Sequence, residues 1–167
     1  GIISKVRHLL PQNLTCNLYF TLVDPYISYC NLVWSAPHKT CSLDRILKIQ
    51  KKYCRLITFS NYTATSRPLF QLLSILSVYD MYKYQLLIHI YRSTNSLTTN
   101  NYSLHYYISN SSIHQYRTRQ QFNLHVPKCR TSLRQRTIVF QGPKLWNSLP
   151  LELRTSHSLN SFKRSLK

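Results

Sequence analysis

Four carboxylates, Asp24, Asp44, Asp80 and Glu152, stand against 22 Lys and Arg residues in this 167-residue chain, leaving a formal charge of +18. A folded chain so unbalanced repels itself, and a polyanionic partner relieves that repulsion. Nucleic acid is the commonest such partner and an anionic membrane the next; solubility alone rarely needs this much charge. The same scarcity of acids limits the chemistry. Two-metal polynucleotide chemistry needs carboxylates close enough to share Mg²⁺ ions, and the nearest two in sequence, Asp24 and Asp44, are twenty positions apart. With two glycines in the whole chain, a Gly-rich phosphate loop is excluded. Hydrophobic residues make up 43% of the chain, enough to fold one domain or two small units sharing a core.

The cysteines, Cys16, Cys30, Cys41, Cys54 and Cys129, are odd in number and lack tight pairing. That suits reduced thiols in the cytosol or nucleus better than a disulfide framework. His38 and Cys41 form the one tight metal-type spacing, whereas structural zinc needs four ligands, usually in two such pairs; no metal site is expected. No elbow motif surrounds any Ser or Cys, and no catalytic residue is assigned. Lys5, Arg7 and His8 deny the N-terminal residues the apolar core of a signal peptide. Asp80 and Lys83 interrupt the apolar stretch Leu69–Tyr91, which argues against a membrane span. The chain therefore reads as intracellular, of cytoplasm and nucleus, without a membrane partner. It starts at Gly1 inside a helix-like pattern and has no initiating Met, so it reads as a piece of something longer.

Residues 1–95 read as helical. Ile2, Ile3, Val6, Leu9 and Leu10 recur at helical spacing until Pro11 stops or restarts the helix. The aromatic-rich run Leu14–Trp34 contains Pro25, which predicts a kink or two shorter helices. Ser42–Phe59 is the clearest amphipathic helix, capped by Ser42, with Asp44 in its first turn. At 100° per residue, Ile46, Ile49, Tyr53, Leu56 and Ile57 share one arc. Arg45, Lys48, Lys51, Lys52 and Arg55 share the opposite one, within roughly 120° of each other. Asp44 sits on that cationic arc, in position to pair with Lys48, and the other four cations have no acid near them. Ser66 and Pro68 open a short helix carrying Leu69, Phe70, Leu72, Leu73 and Leu76. Ser77 and Asp80 form a capping box that starts a buried central helix over about 78–93, whose tyrosines read as core. Trp34 and Trp146 read as core anchors as well.

The polar run from Ser93 to Ser112 breaks the period, and residues 96–112 read as a linker or long loop. Beyond it, Phe122, Leu124 and Val126 alternate with polar residues as a strand does. Thr137–Phe140 is a second β-rich run, and Gly142-Pro143 after it predicts a turn. Leu159, Phe162 and Leu166 suggest a final amphipathic helix. Residues 113–167 thus read as a small basic β/α tail. Positive charge is densest here, with eleven Lys/Arg against one acid from residue 111 onward.

The order of segments resembles a known family. Leu18–Cys30 followed by Val33-Trp34 resembles the segment just downstream of the polymerase core in reverse transcriptases of non-LTR (LINE-type) retrotransposons. Leu43–Ile57, with Ile49-Gln50-Lys51-Lys52 at its centre, is similar to the basic helix that follows in that family. Pro68–Leu76 and Asp80–Tyr91 continue in the same order. Tyr116-Arg117-Thr118-Arg119 and Gln141-Gly142-Pro143-Lys144-Leu145-Trp146-Asn147-Ser148-Leu149-Pro150 resemble the family's C-terminal signatures. The likeness spans about residues 1–166.

That resemblance implies a mainly α chain: a thumb-like helical bundle over residues 1–95, then the linker and the β-containing basic tail with its final helix. A thumb grips the template–primer duplex beside the polymerase active site. The family's Tyr-x-Asp-Asp box, its upstream metal-binding aspartate, the fingers, palm and endonuclease, and the Cys/His knuckle of some relatives have no counterpart here. The chain is thus expected to be non-catalytic and without a cofactor, while its parent would be an RNA-directed DNA polymerase needing Mg²⁺. Its expected partners are an RNA–DNA template–primer hybrid and the upstream palm and fingers of the same polyprotein. Arg45, Lys48, Lys51, Lys52 and Arg55 would contact phosphates, and Arg117, Arg119, Arg130, Arg134 and Arg136 would form a second strip on the β part. The alternatives are a bracing module for the palm and a decayed retroelement remnant without function; a membrane-surface protein would need a free apolar face.

Overall fold

Prolines and small capping residues punctuate the first half of the chain into helices. The computed structural model describes residues 4, 5, 7–35, 41–95, 97, 106–114, 116 and 118–166, with the Cys41 side chain excepted. It is mainly α-helical and divides into two units, residues 1–82 and 83–167. The boundary falls inside one helix. No helix among the described residues is long and apolar enough to cross a membrane.

In the first unit, Pro11 precedes α1 (Gln12–Leu22), its extended backbone serving as the N-cap. Val23 ends α1, and α2 (Asp24–Ser28) begins with Pro25 in its first turn, where a missing N–H costs no helical bond. Pro25 thus gives two short helices. Cys30, in the left-handed region at φ 49°, turns the chain into α3 (Asn31–Trp34). Next come α4 (Cys41–Ile57), α5 (Ser66–Leu72) and α6 (Val78–Thr94). The capping box ahead of α6 is formed: the Ser77 hydroxyl donates to Asp80 Oδ2 at 2.7 Å, and the Asp80 N–H donates to Ser77 Oγ at 3.2 Å.

Two apolar clusters fill this unit. Tyr19, Cys54, Ile57, Leu73 and Ile75 form one, and Ile27, Leu43, Val78 and Met81 the other. Between them lies a fully buried amide. Gln50 Nε2 donates to the Tyr19 hydroxyl (2.9 Å) and to the Leu76 carbonyl (3.2 Å), and its Oε1 accepts from the Val78 N–H (2.9 Å). One side chain of α4 so satisfies groups from α1 and from both sides of the α5–α6 junction. Burial pushes the Tyr19 hydroxyl up to about 12 and the Cys54 thiol up to about 11. Three expectations change here. Trp34 is 39% exposed and donates its indole N–H to the Tyr29 carbonyl at 2.7 Å, so it anchors no core. Ile49 also faces out, because the buried arc of α4 is centred on Leu43, Gln50, Cys54 and Ile57, and Leu72, the last residue of α5, is exposed as well.

The second unit holds the remainder of α6, then α7 (Asn110–Ile113), α8 (Ser132–Gln135), α9 (Ile138–Asn147), α10 (Leu151–Arg154) and α11 (Leu159–Ser165). Its core is aromatic: Phe162 is fully buried, stacked on Tyr91 at 4.6 Å between ring centroids and tilted against Trp146 at 5.8 Å. Ser158 caps α11 by accepting from the Ser161 N–H.

The expected β part is replaced by helices and turns. Around Leu124 the backbone makes a single antiparallel bridge, to Ser109, and no strand is present among the described residues. Leu124 turns inward, but its N–H and carbonyl are taken by the Asn147 side chain, at 2.9 and 2.8 Å, where a partner strand would otherwise pair. Phe122, two residues back, is exposed. The run from Thr137 is also helical. Phe140, Pro143 and Trp146 fall at i, i+3 and i+6 and are all buried, so the helical period overrides the β-branched start. Gly142 makes no turn. A Cβ there would lie 2.9 Å from Tyr107 Cε1 and 3.1 Å from Ile90 Cδ1, so the glycine permits close packing of α9. Most of the expected linker, 96 and 98–105, lies outside the described residues; 106–113 belong to the second unit and include α7.

Candidate nucleic-acid interface

Helix α4 owes its position to its buried stripe, and that stripe leaves the cations outward. Arg45, Lys48 and Lys52 are exposed, and Lys51 and Arg55 half-buried. Asp44, the one acid on this arc, accepts a hydrogen bond from the Tyr79 hydroxyl at 2.9 Å rather than meeting Lys48. With one acid against five cations, this face keeps an excess of positive charge, which on a solvated helix face is unusual. Lys48, Lys51, Lys52 and Arg55 line one open cleft together with Ile49 and Tyr62, of about 240 Å³. Arg45 lies outside it.

Arg55 has a second duty. Its Nε and Nη2 both donate to the Ala64 carbonyl, at 3.0 and 2.8 Å, and its guanidinium lies over the Tyr62 ring at 5.7 Å from the centroid. It ties the turn after α4 back onto the helix and keeps its other donors for an anion. Two cleft residues differ from what the sequence implies: Ile49, expected on the buried arc, lines the cleft, and Tyr62 carries no sequence signal. Ile49 sat on the edge of the apolar arc, and Tyr62 lies five residues past the helix, where no periodicity carries a signal.

No protein-family model matches this sequence, and no curated protein and no solved structure matches it either.

The second set of arginines is less closely gathered. Arg117 lies outside the described residues. Arg119, Arg130, Arg134 and Arg136 are all exposed, Arg134 within the four-residue α8, Arg136 in the turn after it, and Arg119 and Arg130 on turns and irregular chain rather than on strands. Gln135 Nε2 donates to the Cys129 carbonyl at 3.2 Å, which folds this arginine-bearing segment back on itself. Two other cations of this unit are spent internally: Lys144 sits 4.2 Å from the Phe140 ring centroid, and Arg154 Nη1 donates to Asn123 Oδ1 at 2.8 Å.

Among the described residues no three His, Cys, Asp or Glu side chains lie together as metal ligands. His38 and the Cys41 side chain fall outside the described residues. The Cys54 thiol, raised by burial within the core, is poorly suited to act as a nucleophile.

Proposed function

We propose that this chain binds a nucleic-acid backbone through the cationic face of α4, with little regard for sequence. The observation that carries the reading is the run of Lys48, Lys51 and Lys52 along one open cleft whose lining includes no acid among the described residues. A face of this kind neutralises phosphates and releases their counterions. Arg119, Arg130, Arg134 and Arg136 would make phosphate contacts of their own in the second unit. The order of segments supports a more specific placement: the thumb and tail of a non-LTR retrotransposon reverse transcriptase, gripping an RNA–DNA template–primer hybrid. Polymerase chemistry and its Mg²⁺ ions would then belong to upstream palm and fingers.

A second reading, a bracing module that docks on an upstream palm, is favoured by one observation. Tyr26, Tyr29 and Val33 in and between α2 and α3 are each more than three-quarters exposed, and contiguous exposed apolar residues mark interaction surfaces. Charge reversal separates the two. Changing Lys48, Lys51 and Lys52 together to Glu spares Arg55 and its turn. Backbone binding predicts that affinity for an RNA–DNA hybrid falls at least about a hundredfold at low salt with helix content unchanged. Unchanged affinity with lost stability supports bracing instead.

A further inference from the structure

The cleft beside α4 carries two features that phosphate contact does not require. Ile49 stands 55% exposed among Lys48, Lys51 and Lys52, and the Tyr62 ring is 82% exposed at the same cleft. Tyr62 is held there: Arg55 covers part of its ring while gripping Ala64 in the same turn. An aromatic ring, an aliphatic side chain and a rim of ammonium groups around one cavity match the parts of a nucleotide. The ring and Ile49 offer apolar surface for a base, and the lysines offer charge for its phosphates. The volume, about 240 Å³, falls below the roughly 300–1,000 Å³ of pockets that enclose drug-sized ligands, which limits it to a single base. A base within a duplex has both faces covered by its neighbours. Only an unpaired one can stack here without the cost of unstacking.

We infer that the cleft formed by Lys48, Ile49, Lys51, Lys52, Arg55 and Tyr62 holds one unpaired nucleotide of a single strand, its base stacked on Tyr62. Because every base has a π-face, the cleft accepts all four. This deepens the backbone-binding reading and rests on it.

The test uses the full chain and three fluorescein-labelled probes: a twelve-nucleotide oligo(U) RNA, a twelve-unit strand of abasic sites, and a blunt twelve-pair RNA–DNA hybrid. Tyr62→Ala is expected to weaken oligo(U) about tenfold, and the abasic strand and the hybrid less than about twofold. Tyr62→Phe keeps the ring and is expected to bind oligo(U) as the unchanged protein does. Circular dichroism checks that both variants retain their helices, as the exposure of Tyr62 leads one to expect. An equal loss on all three probes, no loss on any, or a Tyr62→Phe defect as large as that of Tyr62→Ala overturns the stacking inference. Each of those results leaves backbone binding intact so long as the unchanged protein still loses affinity steeply with salt. Salt-independent binding by the unchanged protein overturns both.

Discussion

In residues 1–82 the amide that joins the helices is Gln50, fully buried among helices long enough to show their own period. In residues 83–167 the corresponding amide, Asn147, serves an irregular segment, and the apolar centre is a stack of rings, Tyr91, Phe162 and Trp146. The first unit spends its polar interior on joining helices and leaves the lysines of α4 free. The second, though it carries most of the positive charge, commits Lys144 and Arg154 to its own packing. Charge density along a sequence is therefore a poor guide to charge available for a ligand. The less basic unit presents the better-assembled cationic face.

The largest effect that would break this comparison comes from the ring stack. Phe162→Ala removes a fully buried ring and is expected to destabilise the second unit by about 4 kcal/mol. Hydrogen exchange should rise in peptides spanning 106–166 well before those spanning 12–75; uniform loss would mean that the units do not differ in this way. Next is the buried amide. Gln50→Leu strands the Tyr19 hydroxyl, the Leu76 carbonyl and the Val78 N–H, at a cost of about 3 kcal/mol, and chemical denaturation with exchange detection should place the loss in residues 12–82.

A smaller effect separates the units by pH. The Tyr19 pKa is raised in the folded state, mainly by burial, so its contribution is complete below the ordinary tyrosine value of 10.0. It declines as pH rises toward about 12, by about 2–3 kcal/mol. Cys54 adds a loss that starts near pH 9.0. In the second unit His89 is lowered, by burial and then by Arg92, so its contribution is present above pH 6.5 and falls as the solution is acidified. Melting followed across pH should therefore show the acid-side loss in the second unit, and an alkaline loss centred on the first unit to which Tyr84, raised by burial in the second, adds. Tyr19→Phe should flatten the alkaline limb alone.

The legible parts of the sequence were those with local causes. Helix α4, the capping box at Ser77, the break at Pro25 and the final helix around Phe162 each follow from a period or a cap within a few residues. The segment around Leu124 pairs on one edge, in a single bridge to Ser109, and alternation does not foretell that on the other edge Asn147, 23 residues away, takes both Leu124 backbone groups. Thr137–Phe140 failed because β-branched residues outweighed the i, i+3, i+6 spacing of Phe140, Pro143 and Trp146, which was there to be read. Gly142-Pro143 has the local signature of a turn, whereas Gly142 admits the Tyr107 ring, a contact 35 residues distant. In the interface, the cations of α4 were visible as an arc. Tyr62 was not, because its place depends on the Arg55–Ala64 tie.

The central claim is that the α4 lysines contact phosphates, and salt dependence tests it most directly. Affinity for an RNA–DNA hybrid, measured with the full chain between about 50 and 200 mM salt, should fall linearly on a double-logarithmic plot with a slope of about −4 from the α4 cations alone, and steeper as the second unit's arginines contribute. The slope should become shallower by about 2–3 when Lys48, Lys51 and Lys52 are changed to Glu. A slope near zero, or one that the triple change leaves untouched, would contradict the account.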